Sequence, residues 1–390
     1  MMLLSVFQLC FVFAKGVFAL PNEFYVDYNE IEQVNNDKRF GDFVRLSLSE
    51  KDVSTANEKK EEYYVTVKLF GFLPVKKIKA KLLPEENVFV GGELIGLSVH
   101  SNGAVVVSNS VVDEANGKVV KSDYFKNGDV ICQINDKKIE GISDIVEALK
   151  DCNENADICL LRDNKKIKNN VGLLKDKDGN YKLGIWGRDE FSGIGTLTFV
   201  KNDNSFGALG HAITNGNNEN VIPVKDGNVY DCALLDICKG EKNNPGQLKC
   251  IFIPKNPNGE IYKNTKQGIY GKIQDVSKVV DPNYTGKLGG RLSVKPGKAK
   301  IVSCLSGIKE EYEIEIIKTN YQSSLDEKSI VFRVTDERLL SLTGGIVQGM
   351  SGSPILQNGK VVGAVTHVFM SDPTKGYGIY TDWMLEQASM

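Results

Sequence analysis

The chain has 390 residues, 41 % hydrophobic and 25 % charged, with a net charge of −2. That composition supports genuine cores and a length of two or three domains, and it excludes wholesale disorder, collagen and a multi-span membrane protein. So small a net charge gives no field to draw the chain to nucleic acid. Its 38 glycines lean it towards turn-rich β structure. Only His100, His211 and His367 offer an imidazole, so mechanisms that need one have three choices. Eight cysteines without a C-x-x-C pair argue against structural zinc or a redox dithiol. They read as small apolar residues, and no metal or other cofactor is expected.

At the N-terminus, Met1 to Phe13 is almost wholly apolar, Lys15 interrupts it, and Gly16 to Leu20 resumes. Val17-Phe18-Ala19 before Leu20-Pro21 resembles a small-residue cleavage site. Residues 1–20 therefore read as a signal peptide or membrane anchor, and the remainder as exported. Residues 21–85 form a polar N-terminal region in which Ser49 to Glu62 reads as flexible linker. Val65, Val67 and Leu69, then Ile78, Ala80 and Leu82, alternate with polar residues around Gly71 and Pro74, which predicts two strands joined by a turn.

Residues 86–165 read as a compact unit. Gly92-Glu93-Leu94-Ile95-Gly96-Leu97 leads into a strand, Ala104 to Ser108 and Val130 to Ile134 are others, Ser143 caps a short helix to Lys150, and Ile158 to Leu161 closes the unit. This order resembles a PDZ domain. The resemblance implies that backbone N–H groups of Leu94, Ile95, Gly96 and Leu97 cradle a peptide carboxylate while the peptide adds a strand. Residues 164–184 read as linker with one or two short strands. From 185 to 390 short apolar runs between glycines predict roughly 200 residues of mainly β structure, a two-barrel or sandwich domain with a short terminal helix from Asp382 to Ala388.

Gly349-Met350-Ser351-Gly352-Ser353-Pro354 carries the chemistry. Glycines at −2 and +1 let the backbone turn sharply, so a serine hydroxyl projects while neighbouring N–H groups converge. In chymotrypsin-like proteases this G-x-S-G-x-P pattern holds the nucleophile, which implies Ser351 as nucleophile and the N–H groups of Gly349 and Ser351 as oxyanion hole. Met350 stands where zymogens of that class carry an aspartate, which speaks against activation by a new N-terminus. A serine needs an imidazole to take its proton. His211, in Gly207-Ala208-Leu209-Gly210-His211, follows a strand-like run and is best placed; His367 lies in an apolar strand and reads as structural. Asp226, Asp231, Asp236, Asp275, Asp281, Asp326, Asp336, Asp372 and Asp382 all remain open as the orienting acid on spacing alone.

Gly193-Ile194-Gly195-Thr196-Leu197-Thr198-Phe199, the segment around His211, Thr343 to Ile355, and Gly363 to Phe369 together resemble the stage IV sporulation protein B serine peptidases. The resemblance implies a mainly β fold, a PDZ domain followed by a chymotrypsin-like two-barrel peptidase, and a triad of His211, Asp336 and Ser351, with Asp336 taken from Val334-Thr335-Asp336. It further implies an exported endopeptidase of the forespore membrane and intermembrane space, anchored until it cuts itself. Its expected partners are protein substrates (itself and a membrane-bound regulator of an intramembrane metalloprotease that releases a late sigma factor) and peptide termini held by PDZ. A quality-control serine protease and a non-catalytic PDZ adaptor are the alternatives. The first places PDZ after the protease, and intact Ser351 and His211 argue against the second.

Overall fold

A computed structural model describes residues 21–27, 44–55, 58–113, 119–163, 165–215, 218–320, 322 and 324–388. The apolar stretch 1–20 lies outside them. Among the described residues no helix is long and apolar enough to cross a membrane.

Two closed six-stranded antiparallel barrels form the body. In the N-terminal barrel the order is Leu94–Asn109, Ile185–Val200, Ser205–Ala208, Gly268–Ile273, Gly259–Thr265 and Val224–Asp231, which pairs back onto the first strand. Gly297–Ser303, Glu310–Thr319, Ile330–Val334, Lys375–Tyr380, Lys360–Val368 and Pro354–Gln357 close the C-terminal barrel in the same way. Alternation drives both closures, since every second side chain enters the barrel. Glu310–Thr319, for example, buries Tyr312, Ile314 and Ile316 and exposes the glutamates between them. Leu97, Val99, Leu197, Phe206, Val229, Ile261 and Ile269 share one core, and Ile301, Ile314, Phe332, Ile355, Val365 and Tyr380 share another. The expected mainly β, chymotrypsin-like architecture is therefore present.

The order of units along the chain differs from the sequence reading. Leu94 to Asn109 is one sixteen-residue strand, and its first half belongs to the barrel. Its second half continues into a smaller unit that is inserted into the barrel before Ile185–Val200 brings the chain back. That unit has its own core, including Ala104, Val106, Phe125, Ile131, Ile145, Leu149, Ile158, Leu160 and Leu183. The expected limits at 86 and 165 are thus both too early. Residues 165–172 and 174–182, read as linker, add a strand to this unit and a small hairpin beside it. The helix there spans Ile142–Lys150 with Gly141, not Ser143, at its N-cap. Its first free N–H groups are taken by carboxylates of Asp144 and of Asp189, the latter reaching from the returning strand.

Ser49 to Glu62, read as flexible, lies in a long hairpin of Val44–Thr55 and Glu58–Leu69. With Leu73–Leu82 and Glu23–Val26 it makes a four-stranded sheet, so the two expected strands around Gly71 are present. High charge hid the hairpin, because Ser49 to Glu62 shows no apolar–polar alternation from which paired strands could be read. The sheet buries Phe24, Val26, Val65, Val67 and Ile78 against Leu292 of the body. Beneath it Arg291 and Asp382, both fully buried, pair at 2.6 Å, with the guanidinium 4.3 Å from the Trp383 ring centroid.

Candidate active site

Ser351 and His211 come from different barrels and both border Thr366-His367, the serine through the Thr366 carbonyl and the imidazole 5.3 Å from the His367 ring. His211 follows the strand Ser205–Ala208 through Leu209 and Gly210, both left-handed at φ +66° and +69°. A buried leucine in that conformation is strained, and such strain persists where the surroundings fix it. Asn264 provides part of that fixing. Its side chain bonds both backbone groups of Ile213 and the carbonyl of Ile222, which ties down the loop after the histidine.

The serine sits in a turn clamped by the other barrel. Thr196 donates its hydroxyl to the Gly349 carbonyl at 2.9 Å and its N–H to the Ser351 carbonyl, and the Thr198 hydroxyl donates to the Gly352 carbonyl at 2.7 Å. Gly352 (φ +97°) is required here, since a Cβ would stand 2.0 Å from the Thr196 carbonyl oxygen. A hairpin of Ala233–Cys238 and Gln247–Ile251 grips the approach to the turn. Leu248 donates to the Gln348 carbonyl, and Gln348 donates back to Gly246. Among the described residues, the N–H groups of Gly349 and Ser351 have no acceptor. Backbone donors with no partner can receive a developing oxyanion.

The imidazole of His211 has its Nδ1 2.9 Å from the Ala212 carbonyl. An N–H there leaves Nε2 as the basic nitrogen. Burial pushes the His211 pKa below its ordinary value, only partly offset by that carbonyl, so the ring is neutral at neutral pH. The Ser351 hydroxyl donates to the Thr366 carbonyl at 2.9 Å. Thr366 adjoins His367, and the rings of His367 and His211 lie 5.3 Å apart, centre to centre. Burial first, then the His211 and Lys328 charges, lower the His367 pKa to about 4. Its Nε2 faces Glu327 at 3.6 Å, while Nδ1 is buried without a hydrogen-bond partner. A residue read as structural therefore borders the His211 imidazole. Neither His367 nor the threonine clamp carries a spacing signal, although Thr196, Thr198 and His367 all lie in segments that the family resemblance singles out.

Asp336 is not hydrogen-bonded to His211. It caps the helix Glu337–Thr343, accepting from the N–H groups of Arg338 and Leu339, and it takes a further N–H from Glu313 and the Arg338 guanidinium. Burial would raise its pKa, but Arg338 and these N–H groups outweigh that and hold it below the usual carboxylate range. The helix it caps ends in left-handed Gly344 and leads to the serine turn. The other open acids are committed elsewhere. Asp226 pairs with His100, Asp236 with Lys249, Asp372 with Lys375 and Asp382 with Arg291. Asp231 accepts from Asn258, and Asp275, Asp281 and Asp326 bond within their own turns.

Leu94, Ile95, Gly96 and Leu97, expected to cradle a carboxylate, form no loop. They lie in a strand paired on one side with Gly193 to Thr196 and on the other with Val229 to Asp231. Both edges of Ile95, Gly96 and Leu97 are occupied, so their N–H groups are not available to a ligand, while Leu94 ends the strand opposite Thr196 alone. The open groove of the inserted unit lies elsewhere, between the helix Ile142–Lys150 and residues 184–187. It encloses about 510 Å³ and is lined by Val111, Ile145, Val146, Leu149, Ile185 and Trp186 among others.

Residues 179–385, more than half of the chain, match the family described as SpoIVB peptidase S55. No curated protein matches the sequence.

Proposed function

The chain belongs to the SpoIVB peptidase S55 family, a family of serine peptidases linked to sporulation, and from that premise we propose that Ser351 is its nucleophile, His211 its general base, and the Gly349 and Ser351 N–H groups its oxyanion hole. The observation that carries the reading is that Ser351 and His211, from different barrels, both border Thr366-His367, with both proposed oxyanion donors unoccupied among the described residues. In the proposed first step the hydroxyl swings from the Thr366 carbonyl towards Nε2 of His211. The ring takes the proton as Oγ attacks the scissile carbonyl, and the imidazolium then protonates the leaving amine. The Ala212 carbonyl supports the Nδ1 side of the imidazole, a role that the sequence reading gave to Asp336.

The substrates we propose are the chain itself and then a membrane-bound regulator of an intramembrane metalloprotease, in the exported space around the forespore. Paired strands resist proteolysis, because a protease needs extended, unpaired backbone. Glu23–Val26, Val44–Thr55, Glu58–Leu69 and Leu73–Leu82 are all paired, so we assign the self-cut to the residues outside these strands. Peptide ends are proposed to dock in the groove beside Trp186, where the returning strand's outer edge is unpaired among the described residues. The test is to incubate the purified full chain, sequence any new N-terminus, and label the active serine with a fluorophosphonate. Shortening and labelling that both vanish in Ser351→Ala and persist in Ser353→Ala support the reading. Labelling that survives Ser351→Ala overturns it.

A further inference from the structure

The turn that joins Glu58–Leu69 to Leu73–Leu82 faces water with a composition unlike the rest of the surface. Phe70 and Gly71 are both left-handed, at φ +53° and +77°, so the reversal is tight and holds the flanking side chains outward. Phe70 is 56 % exposed, Phe72 75 %, Leu73 48 % and Val75 41 %. The two phenylalanine rings stack at 6.4 Å. Single exposed apolar residues need no explanation, but four within six residues at the end of a ribbon do. The same stretch, Tyr63 to Leu83, carries Lys68, Lys76, Lys77, Lys79 and Lys81 and not one aspartate or glutamate. In a chain of net charge −2, that makes a local positive field around an apolar tip. Lys81 is paired with Glu23 and Lys77 lies over the Tyr64 ring. The feature therefore rests on the sign of the field and not on any unpaired ammonium.

The tip is also rigidly mounted. Its sheet is packed on Leu292, Phe24 lies 5.8 Å from the Arg291 guanidinium, and Asp27 pairs with Lys360 at 3.0 Å. A force on the turn is thus borne by the peptidase body.

We propose that Phe70 to Val75 is a docking tip for an anionic lipid surface, with the Phe70, Phe72 and Leu73 side chains entering the boundary between headgroups and acyl chains and the lysines facing lipid phosphates. Aromatic and leucine side chains favour that boundary, and lysine stems reach back from it to the phosphates. A convex turn offers a protein partner little surface to cover, whereas a bilayer admits it. Basic residues near such a surface add about fivefold to affinity each, and salt weakens the attraction.

The experiment uses the full chain with Phe72→Trp, read as the difference from the parent because the chain already holds Trp186 and Trp383. The probes are vesicles of mixed phosphatidylglycerol and phosphatidylcholine, and vesicles of phosphatidylcholine alone. The expected result is a blue-shifted emission, quenched by brominated acyl chains, on the anionic vesicles. It should weaken on neutral ones and in high salt, and fall at least about tenfold in affinity when Lys76→Glu and Lys79→Glu are added. Sedimentation with vesicles without any change in this emission overturns the proposal, since another part of the chain then holds the lipid. A shift that appears without vesicles and grows with protein concentration also overturns it, by making a second copy the occupant. An equal shift on neutral vesicles removes the electrostatic half and with it the assignment to anionic lipid. Fluorophosphonate labelling of Ser351 in the same variants separates failure here from failure of the proposed catalytic assignment.

Discussion

The two barrels share strand number and closure but differ in continuity. The C-terminal barrel is built from one uninterrupted stretch, Gly297 to Tyr380, in which hairpins between successive strands are joined by two longer pairings, Ile301 with Ile355 and Ile330 with Gly378. In the N-terminal barrel the first strand and its partner are separated by the whole inserted unit, yet they pair along their length, Leu97 opposite Gly193 and Asn109 opposite Ile185, with two breaks in register between Trp186 and Glu190. The continuous barrel carries Ser351 and the interrupted one carries His211. The proposed site thus draws on one barrel built from a continuous stretch and on another interrupted by a whole folded unit.

The largest test of that division is a double substitution. Ser351→Ala and His211→Gln should each lower peptide hydrolysis by about a thousandfold or more, and the pair together should lose little beyond either one, because residues acting as one unit are not additive. Losses that multiply would mean the barrels contribute separately. Next in size, Asp382→Ala leaves the Arg291 guanidinium buried without its carboxylate. Urea unfolding should show a loss of about 3–5 kcal/mol, shared by the C-terminal barrel and the sheet that rests on Arg291. A loss below about 1 kcal/mol would show that water reaches the pair.

Asp336→Asn keeps an N-cap residue and removes a charge from Arg338. Stability should fall by about 1 kcal/mol or less, and hydrolysis by no more than about tenfold. A fall near ten-thousandfold is the signature of a carboxylate that orients the imidazole, and it would restore to Asp336 the role read from the family resemblance.

The smallest effect is one of pH. His367 has a folded pKa of about 4 against an ordinary value of 6.5, so protonation favours the unfolded chain. Its contribution is complete above about 6.5 and is lost as pH falls towards 4. His367→Gln should flatten the acid side of the stability curve, measured by thermal unfolding between those limits. Activity should likewise hold to a lower pH than an ordinary histidine base allows, because burial depresses the His211 pKa as well. An activity midpoint above 6.5 would contradict the buried, neutral His211.

These contrasts also explain what could be read in advance. Ser351, its glycines and His211 stood out because sharp turns and a nucleophile leave a short, local signature. The C-terminal barrel was legible for a similar reason, as closely spaced alternating strands. The N-terminal barrel was not, because nothing in Leu94 to Leu97 announces that its partners lie at Gly193 and Val229. The same apolar-Gly-apolar run serves a ligand loop or a central strand, and only long-range pairing decides. Asp336 shows the converse limit: an aspartate before Glu337-Arg338 is also a helix cap, and that local demand claims its oxygens.

The interrupted barrel also governs how the molecule is made. During synthesis Leu94 to His100 leaves the ribosome some 85 residues before its partner strand begins at Ile185. At about 5–20 residues per second it waits about 4–17 s. In that interval the inserted unit, complete by Leu183, can condense around its own core and bring the two strand ends together at Asn109 and Ile185. It thereby acts as a splint, shortening the loop that barrel closure must otherwise pay for in entropy. A fragment that starts at residue 179, where the family match begins, has neither splint nor first strand, and would emerge with two bare sheet edges where the native chain has none.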